Sequence, residues 1–372
     1  MRDPRVEKLA SLILNHSVKL KARENLLIEL TDSGEELAAA LVRQAYDLGA
    51  NPFLSVIHKR LQREWIAGAN LEQLRRQAGY DIPRMKDMDA CVSIRGTANS
   101  AEFGGVAPER MDAYQREYHK PINIDLRLSG TKWCVLNWPN PVLAKSSGMN
   151  TDEFEDFFFQ VCCVDYPAFA KQMERLAERM ERADRVHILA EGTDLTFSVK
   201  GQPAVVSDGI NNLPDGEVSC GPIRDSANGY ITYNAPSEYM GFQHQNVRFE
   251  LKDGKIISAS SNNSARTNAV LDTDEGARYI GEFAIGLNPY ITRPICDTLF
   301  DEKATGSIHF TPGNAYANSF NGNRSAVHWD LVQMHTPEFG GGEIWFDNEL
   351  IRRDGLFVPD YLAGLNPKNL TK

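Results

Sequence analysis

The sequence of 372 residues lacks an excess of basic residues and has no long apolar run. Its 50 acidic residues outnumber the 40 basic ones, and the net charge of -10 argues against nucleic acid or an anionic membrane surface as a main partner. No stretch of about 18 or more apolar residues occurs, and the N-terminus has no apolar core followed by a small-residue cleavage site. We therefore expect no membrane span, no signal peptide and a cytoplasmic location.

Cysteine is scarce, and its spacing is unsuited to disulfides or to zinc. The six cysteines include no C-x-x-C pair. Cys162 and Cys163 are adjacent, which fits neither a normal disulfide nor a zinc knuckle. This usage predicts reduced, mostly buried thiols, as in a cytoplasmic protein.

A glycine-rich phosphate loop is also missing from the place where a nucleotide-binding domain would carry it. The apolar run NLLIEL at Asn25–Leu30 predicts a buried parallel strand, followed by a helix that ends near Gly49 and by a second strand, FLSVI. This order predicts a parallel βαβ unit. The turn after the first strand has the sequence TDSGEE instead of G-x-G-x-x-G, so we favour a scaffold or substrate-shielding role over nucleotide binding.

The sequence pattern changes near Arg185. Before it, strand-like and helical segments alternate; after it, alternating polarity and turn dipeptides predict antiparallel strands, with FELKDGKIISAS as a hairpin. A chain of this length is expected to form two domains. We predict an α/β N-terminal domain with a parallel sheet at 1–175. Residues 176–372 would form an α+β C-terminal domain rich in antiparallel strands.

A loop-rich stretch from Asp301 to Asp330 contains two histidines together with acidic residues. His328 and Asp330 are two apart, so on an extended strand their side chains lie on the same side. His309 and His328 each lie in a short apolar segment, where a buried imidazole needs a partner such as a metal ion or, for His328, Asp330. Imidazole and carboxylate together suit zinc, manganese, cobalt or iron. The stretch therefore predicts part of a metal site, with the remaining ligands upstream.

Two upstream glutamates are candidates for those remaining ligands. Glu282 lies in DTDEGARYIGEFAIG, which we predict to be a helix over Asp272–Gly286 with an acidic first turn. Gly281 beside it would allow close backbone approach. The residues alone leave open whether Glu282 is a surface residue or a buried ligand. Glu217, in PDGEV, is by itself an ordinary turn acid.

Several sequence blocks occur in the order that is typical of one enzyme family. They cover most of residues 185–332 and are AEGTDLTFSV, NLPDGEV, DEGARYIGEFAIG, LFDEK with IHFTPGNAY, and NRSAVHWD. In these blocks the chain resembles the thermophilic metallo-aminopeptidases, metallopeptidase family 29. The N-terminal half agrees with that family in layout and contributes no specific motif.

The resemblance implies a role for each matching residue. Two divalent ions, zinc, cobalt or manganese, would be held in the C-terminal domain by Glu217, Glu282, His309, His328 and Asp330, with Glu282 shared between the ions. Glu302 matches an acidic catalytic position, and Tyr316 matches a tyrosine that assists the reaction.

The chain departs from the family pattern close to these residues. Ser219-Cys220 stands where the family commonly has Phe-Thr, and Lys303 stands where it commonly has Asn. The gap from Glu302 to His309 is longer than is usual in the family.

The function implied is a metal-dependent aminopeptidase that hydrolyses the N-terminal peptide bond of peptides with a metal-activated water. The resemblance also implies a homodimer, to which the aromatic residues within 154–169 would contribute. Two alternatives remain. One is a one-iron ring-cleaving dioxygenase on the same scaffold, which would not need both Glu217 and Glu282. The other is a non-catalytic binding module.

Overall fold

The computed structural model describes residues 3–96, 99 and 101–371, and its contacts divide the chain into two compact units. Unit 1 consists of Met1–Cys163 with Gly209–Leu213, and unit 2 consists of Val164–Asp208 with Pro214–Lys372. The division into independent domains 1–175 and 176–372 stays a prediction.

Unit 1 contains a parallel sheet with helices between its strands. The strands, numbered along the whole chain, are β1 (Asn25–Thr31), β2 (Asn51–Ile57), β3 (Ala90–Arg95), β4 (Lys132–Asn137) and β8 (Asn212–Leu213). The helices are α1 (Pro4–Leu12), α2 (Glu35–Asp47), α3 (Lys59–Gly68), α4 (Leu71–Lys86), α5 (Pro108–Tyr114), α6 (Leu128–Gly130), α7 (Pro141–Ser146) and α8 (Thr151–Cys162), with π-helical segments at Ile13–Ser17 and Gln115–Arg127. The strand order is β2-β1-β3-β4-β8, and all neighbours are parallel. The predicted α/β architecture is confirmed.

Unit 2 is built mainly of antiparallel strands. These are β5 (Arg185–Ala190), β6 (Thr193–Ser198), β7 (Val205–Ser207), β9 (Glu217–Cys220), β10 (Asn228–Thr232), β11 (Ser237–Tyr239), β12 (Phe242–His244), β13 (Arg248–Lys252), β14 (Lys255–Ser260), β15 (Ile280–Gly286), β16 (Ser307–Pro312), β17 (Val332–Met334), β18 (Gly342–Phe346), β19 (Glu349–Arg353) and β20 (Leu356–Phe357). The α-helices are α9 (Tyr166–Glu181), α10 (Ser264–Leu271), α11 (Thr298–Asp301) and α12 (Pro367–Leu370). Short 3-10 helices cover Glu275–Arg278, Ala317–Ser319, Pro337–Phe339 and Asp360–Leu365.

The strands of unit 2 form an eight-stranded sheet, a five-stranded sheet and a small two-stranded one. The eight-stranded sheet has the order β14-β13-β10-β6-β5-β18-β19-β20, and the five-stranded sheet has the order β17-β16-β15-β9-β7. The predicted hairpin is confirmed: Asp253 and Gly254 connect β13 to β14, and both have positive φ, as a tight hairpin turn requires. The five-stranded sheet carries the candidate site.

The helix predicted over Asp272–Gly286 is wrong. After the 3-10 turn at Glu275–Arg278, the chain enters strand β15, which lies between β9 and β16. All seven residues of β15 are buried, as expected for a strand covered on both faces. A Cβ added at Gly281 would lie 2.3 Å from the Asn314 carbonyl oxygen. The glycine therefore permits the close backbone approach that was expected at this position, although the segment is a strand and not a helix.

We predict that Gly281→Ala destabilises the protein. The added methyl would overlap the backbone of Asn314, and such overpacking lowers the free energy of unfolding by about 1–3 kcal/mol. Urea unfolding followed by circular dichroism measures the change. The matched control is Gly79→Ala in α4, where a Cβ meets nothing within 4 Å and alanine favours the helix. An unchanged unfolding midpoint in Gly281→Ala would contradict the prediction, because it would show that the backbone at Asn314 moves to accommodate the methyl group at little cost.

Candidate metal centre

The register of the five-stranded sheet gathers the polar groups of three buried strands on one face. Ala284 of β15 pairs with His309 of β16, and Gly286 of β15 pairs with Glu217 of β9. Because side chains alternate along a strand, Glu282 points to the same side as Ala284 and Gly286. At Gly286 the missing side chain lets the backbone carbonyls of Ala304 and Glu302 approach the strand, because an added Cβ would lie 2.4 and 2.8 Å from their oxygens.

The opposite face of these strands is apolar. Phe283 of β15 and Phe310 of β16 both have completely buried side chains. Their rings pack against Phe197 of β6, with ring centroids 5.0 and 4.9 Å away. This packing anchors the strands, so the polar face is held on a rigid support.

Glu217, Glu282 and His309 form the first group of candidate ligands. They are 6%, 4% and 1% exposed, and one ligand atom of each lies within 4.8 Å of the others. The Glu217 Oε2 atom is 3.6 Å from His309 Nε2, and neither Glu217 Oε2 nor His309 Nδ1 has a hydrogen-bond partner in the described part of the chain. A buried carboxylate oxygen without a donor is costly, so this group fits a bound cation.

Glu282, His328 and Asp330 form the second group, which shares Glu282 with the first. His328 Nε2 lies 3.4 Å from Glu282 Oε2 and 3.3 Å from Asp330 Oδ1. His328 Nδ1 is 2.8 Å from the Asn314 carbonyl oxygen. A carbonyl can only accept, so Nδ1 carries the proton and Nε2 faces the carboxylates, which is the usual arrangement of a ligating histidine.

The electrostatics of the second group show how strongly it attracts positive charge. Burial by itself would lower the pKa of His328, but Asp330 and Glu282 outweigh burial and raise it well above its usual range. Burial would raise the pKa of Glu282, but the hydrogen bond to His328 and the charge of His309 lower it. The positive charge of the His328 imidazolium thus balances the two carboxylates. A divalent ion bound between them would supply this positive charge instead.

Glu302 and Tyr316 lie beside these groups. Burial raises the pKa of Glu302 well above its usual range; Lys303 lowers it in part, and the charges of Asp330 and Glu217 raise it further. Tyr316 is half exposed, and its ring centroid is 4.5 Å from that of His328. The structure thus brings together all seven residues that the sequence proposes for the site, and their individual roles stay predictions.

Sequence reasoning assigned no role to Lys303, which lies against the first group. The side chain is 2% exposed, and its Nζ is 2.6 Å from Glu217 Oε1, 2.9 Å from Glu302 Oε1 and 3.6 Å from Asp215 Oδ1. Burial would lower the pKa of Lys303, but these carboxylates outweigh burial and raise it well above its usual range. Lys303 is therefore a buried ammonium. The one signal in the sequence was its departure from the family pattern.

Comparisons show that the chain is similar to known proteins along nearly its whole length. The sequence profile of the thermophilic metalloprotease family (M29) matches residues 2–355. Aminopeptidase PepS of Streptococcus thermophilus is 26% identical over 96% of this chain and 97% of its own length. Aminopeptidase 2 of Geobacillus stearothermophilus is 32% identical over 97% of each chain. These matches confirm the resemblance inferred from the sequence blocks.

Two solved structures have the same fold over nearly the whole chain. AmpT from Thermus thermophilus aligns with a TM-score of 0.78 at 23% identity, over 95% of this chain and 99% of its own. A 2,5-dihydroxypyridine dioxygenase from Pseudomonas putida aligns with a TM-score of 0.62 at 12% identity, over 96% and 98%. The fold is therefore compatible with more than one chemistry, and the site residues must decide between them.

We predict that divalent ions stabilise the protein and that Glu282→Gln removes this effect. Glu282 is the residue that both groups share, so its loss weakens both positions. An ion at about 100 times its Kd should add about 2.7 kcal/mol to the free energy of unfolding, which appears as a rise in Tm over the chelator-treated protein. Glu174→Gln, an exposed glutamate on α9, is the control and should keep the full rise. An equal rise in Tm for Glu282→Gln would contradict the assignment of Glu282 as a shared ligand.

Proposed function

We propose that this chain, which belongs to the thermophilic metalloprotease family M29, is a metal-dependent aminopeptidase that hydrolyses the N-terminal peptide bond of peptides. The observation that carries the proposal is the convergence of Glu217, Glu282, His309, His328 and Asp330 in two groups that share one carboxylate. Carboxylates and imidazoles in such a shared arrangement are the donors that two-ion hydrolases use.

We infer that two divalent ions, zinc, cobalt or manganese, occupy these two groups. In the first group, Glu217 Oε2 has no hydrogen-bond donor in the described part of the chain, which supports an ion there. In the second group, His328 Nε2 lies between two carboxylates, which supports an ion there as well. When bound, such ions polarise the scissile carbonyl and lower the pKa of a water molecule. Nitrogen and carboxylate donors suit zinc, cobalt and manganese and do not distinguish among them.

Glu302 and Tyr316 are the proposed catalytic residues. Glu302 would take a proton and return it to the leaving amine, a role that suits a carboxyl group with a raised pKa. Lys303 holds its Oε1 atom at 2.9 Å, which fixes the orientation of the carboxylate. The Tyr316 hydroxyl would donate a hydrogen bond to the oxyanion that develops on the substrate carbonyl. Its half-exposed side chain against His328 supports this placement.

The finer properties of the protein are part of the same proposal. We propose that it works as a homodimer and acts on peptides in the cytoplasm. Cys162 and Cys163 are free thiols, which agrees with a reducing compartment. Within the described residues, no helix has the length and apolar character needed to cross a membrane.

A ring-cleaving dioxygenase is the second candidate, because the dioxygenase structure aligns over 96% of the chain. A one-iron enzyme would be served by Glu282, His328 and Asp330 alone. The additional buried pair of Glu217 and His309 therefore favours the two-ion hydrolase. A non-catalytic binding module would have no need of either group.

We predict chelator-sensitive release of amino acids from aminoacyl-anilides in the presence of zinc, cobalt or manganese. His328→Ala removes a ligand and should lower kcat/KM by more than about 100-fold, because even indirect partners of ligands contribute 10–100-fold. The control is His187→Ala, a histidine on β5 that is paired with Asp194 and lies outside the site. One bound iron without hydrolysis would favour the oxygenase, and no bound metal would favour the binding module.

We also predict that Tyr316→Phe lowers kcat and leaves KM nearly unchanged. The hydroxyl would bind the oxyanion only as it forms, and removing one such donor lowers kcat by about 100-fold or more. Initial rates with an aminoacyl-anilide measure both constants. Tyr230→Phe on β10, another partly exposed tyrosine, should behave as the unmodified protein does. A kcat that stays within about twofold of the unmodified value would remove the oxyanion role of Tyr316.

A further inference from the structure

The two groups of candidate ligands differ in their contact with fixed positive charge. In the first group, Glu217 Oε1 contacts the Lys303 ammonium at 2.6 Å. In the second group, the ion pairs of Glu282 and Asp330 among the described residues are formed with His328. His328 is itself a ligand candidate, whereas Lys303 is not one, and three carboxylates hold its ammonium beside the first group.

The Lys303 ammonium divides the two oxygens of Glu217 between different partners. Oε1 accepts from Lys303 Nζ at 2.6 Å and from the Ser207 hydroxyl at 3.3 Å. Oε2 faces His309 Nε2 at 3.6 Å and has no donor in the described part of the chain. Glu217 therefore offers an ion in the first group one oxygen, while its other oxygen is already neutralised.

Lys303 cannot turn away from this position into solvent. Its side chain is 2% exposed, and the carboxylates of Glu217, Glu302 and Asp215 surround the ammonium. An ion bound in the first group thus shares Glu217 with a permanent cation. Two cations repel each other strongly when both are buried away from water, because the effective dielectric constant there is low.

We propose that Lys303 makes the two metal positions unequal. The position formed by Glu282, His328 and Asp330 fills first. The position formed by Glu217, Glu282 and His309 binds its ion more weakly, because that ion competes with the Lys303 ammonium for the charge of Glu217. This inference rests on the proposed two-ion centre, and it makes occupancy of the first group, formed by Glu217, Glu282 and His309, dependent on the concentration of free metal.

Calorimetric titration of the metal-free protein with zinc or cobalt alone tests the inference. The unmodified protein should show two binding events whose Kd values differ by about tenfold or more. Lys303→Gln keeps hydrogen-bond donors and removes the charge, so it should tighten the weaker event by about tenfold or more and change the tighter one by less than about threefold. Lys303→Arg keeps the charge and should keep two unequal events. Lys252→Gln, at an exposed lysine of β13, is the surface control.

Ligand variants assign the two events. Glu217→Gln should abolish the weaker event and keep the tighter one, whereas Asp330→Asn should weaken the tighter one. Equal Kd values in the unmodified protein, a weaker second event in Lys303→Gln, or loss of the tighter event in Glu217→Gln would each overturn the inference. If the Lys303 variants do not fold, as judged by circular dichroism, equal Kd values in the unmodified protein or loss of the tighter event in Glu217→Gln would still overturn the inference.

The outcome for Lys303 is separable from the outcome for the proposed function. The titrations measure metal binding without any peptide substrate. Two unequal binding events that respond to Lys303→Gln as expected, in a protein that hydrolyses no anilide, would support the role of Lys303 and overturn the aminopeptidase. A protein that hydrolyses anilides and binds two ions with equal Kd values would support the aminopeptidase and overturn the role of Lys303.

Discussion

The need to balance carboxylates that are buried on one face of an antiparallel sheet is the constraint on which the site depends. Glu217 and Glu282 are 6% and 4% exposed, on strands with no residue open to solvent. A buried carboxylate is tolerated only with positive charge or several donors nearby. His328 and Lys303 provide that balance in the protein alone, and divalent ions provide it in the active form that we propose.

The same constraint explains the two-faced construction of the sheet. Along β15, the residues alternate between the ligand face and the apolar face, so Phe283 packs on Phe197 while Glu282 points into the site. On the ligand face, Gly286 lets the backbone carbonyls of Ala304 and Glu302 come close to the strand. Stability and function are thus assigned to opposite faces of one strand, and the rigid apolar face holds the charged groups at the distances that the chemistry needs.

Much of this arrangement could be predicted from the sequence, and the failures have physical causes. His328 and Asp330 were expected on the same side of an extended segment, and their side chains do meet, with 3.3 Å between Nε2 and Oδ1. Strand β15 was mistaken for a helix because both of its faces are buried. Such a strand lacks the alternation of polar and apolar side chains by which a half-buried strand is recognised, and β15 has small residues at several positions instead. Lys303 was missed because it follows two acidic residues in what looks like a solvated turn. The carboxylates that fix it include Asp215 and Glu217, which come from a distant part of the chain.

Glu217 is the residue at which the chemistry of this fold is decided. The fold is shared with an aminopeptidase and with a dioxygenase, so it does not choose between a centre with one ion and a centre with two. The second group, which Glu282 forms with His328 and Asp330, is complete without Glu217, whereas the first group exists only through Glu217 and His309. The buried lysine contacts this same carboxylate and no other ligand candidate. In the two-ion centre that we propose, the charge of Glu217 is shared between an ammonium and an ion, and that sharing sets how firmly the ion in the first group is held.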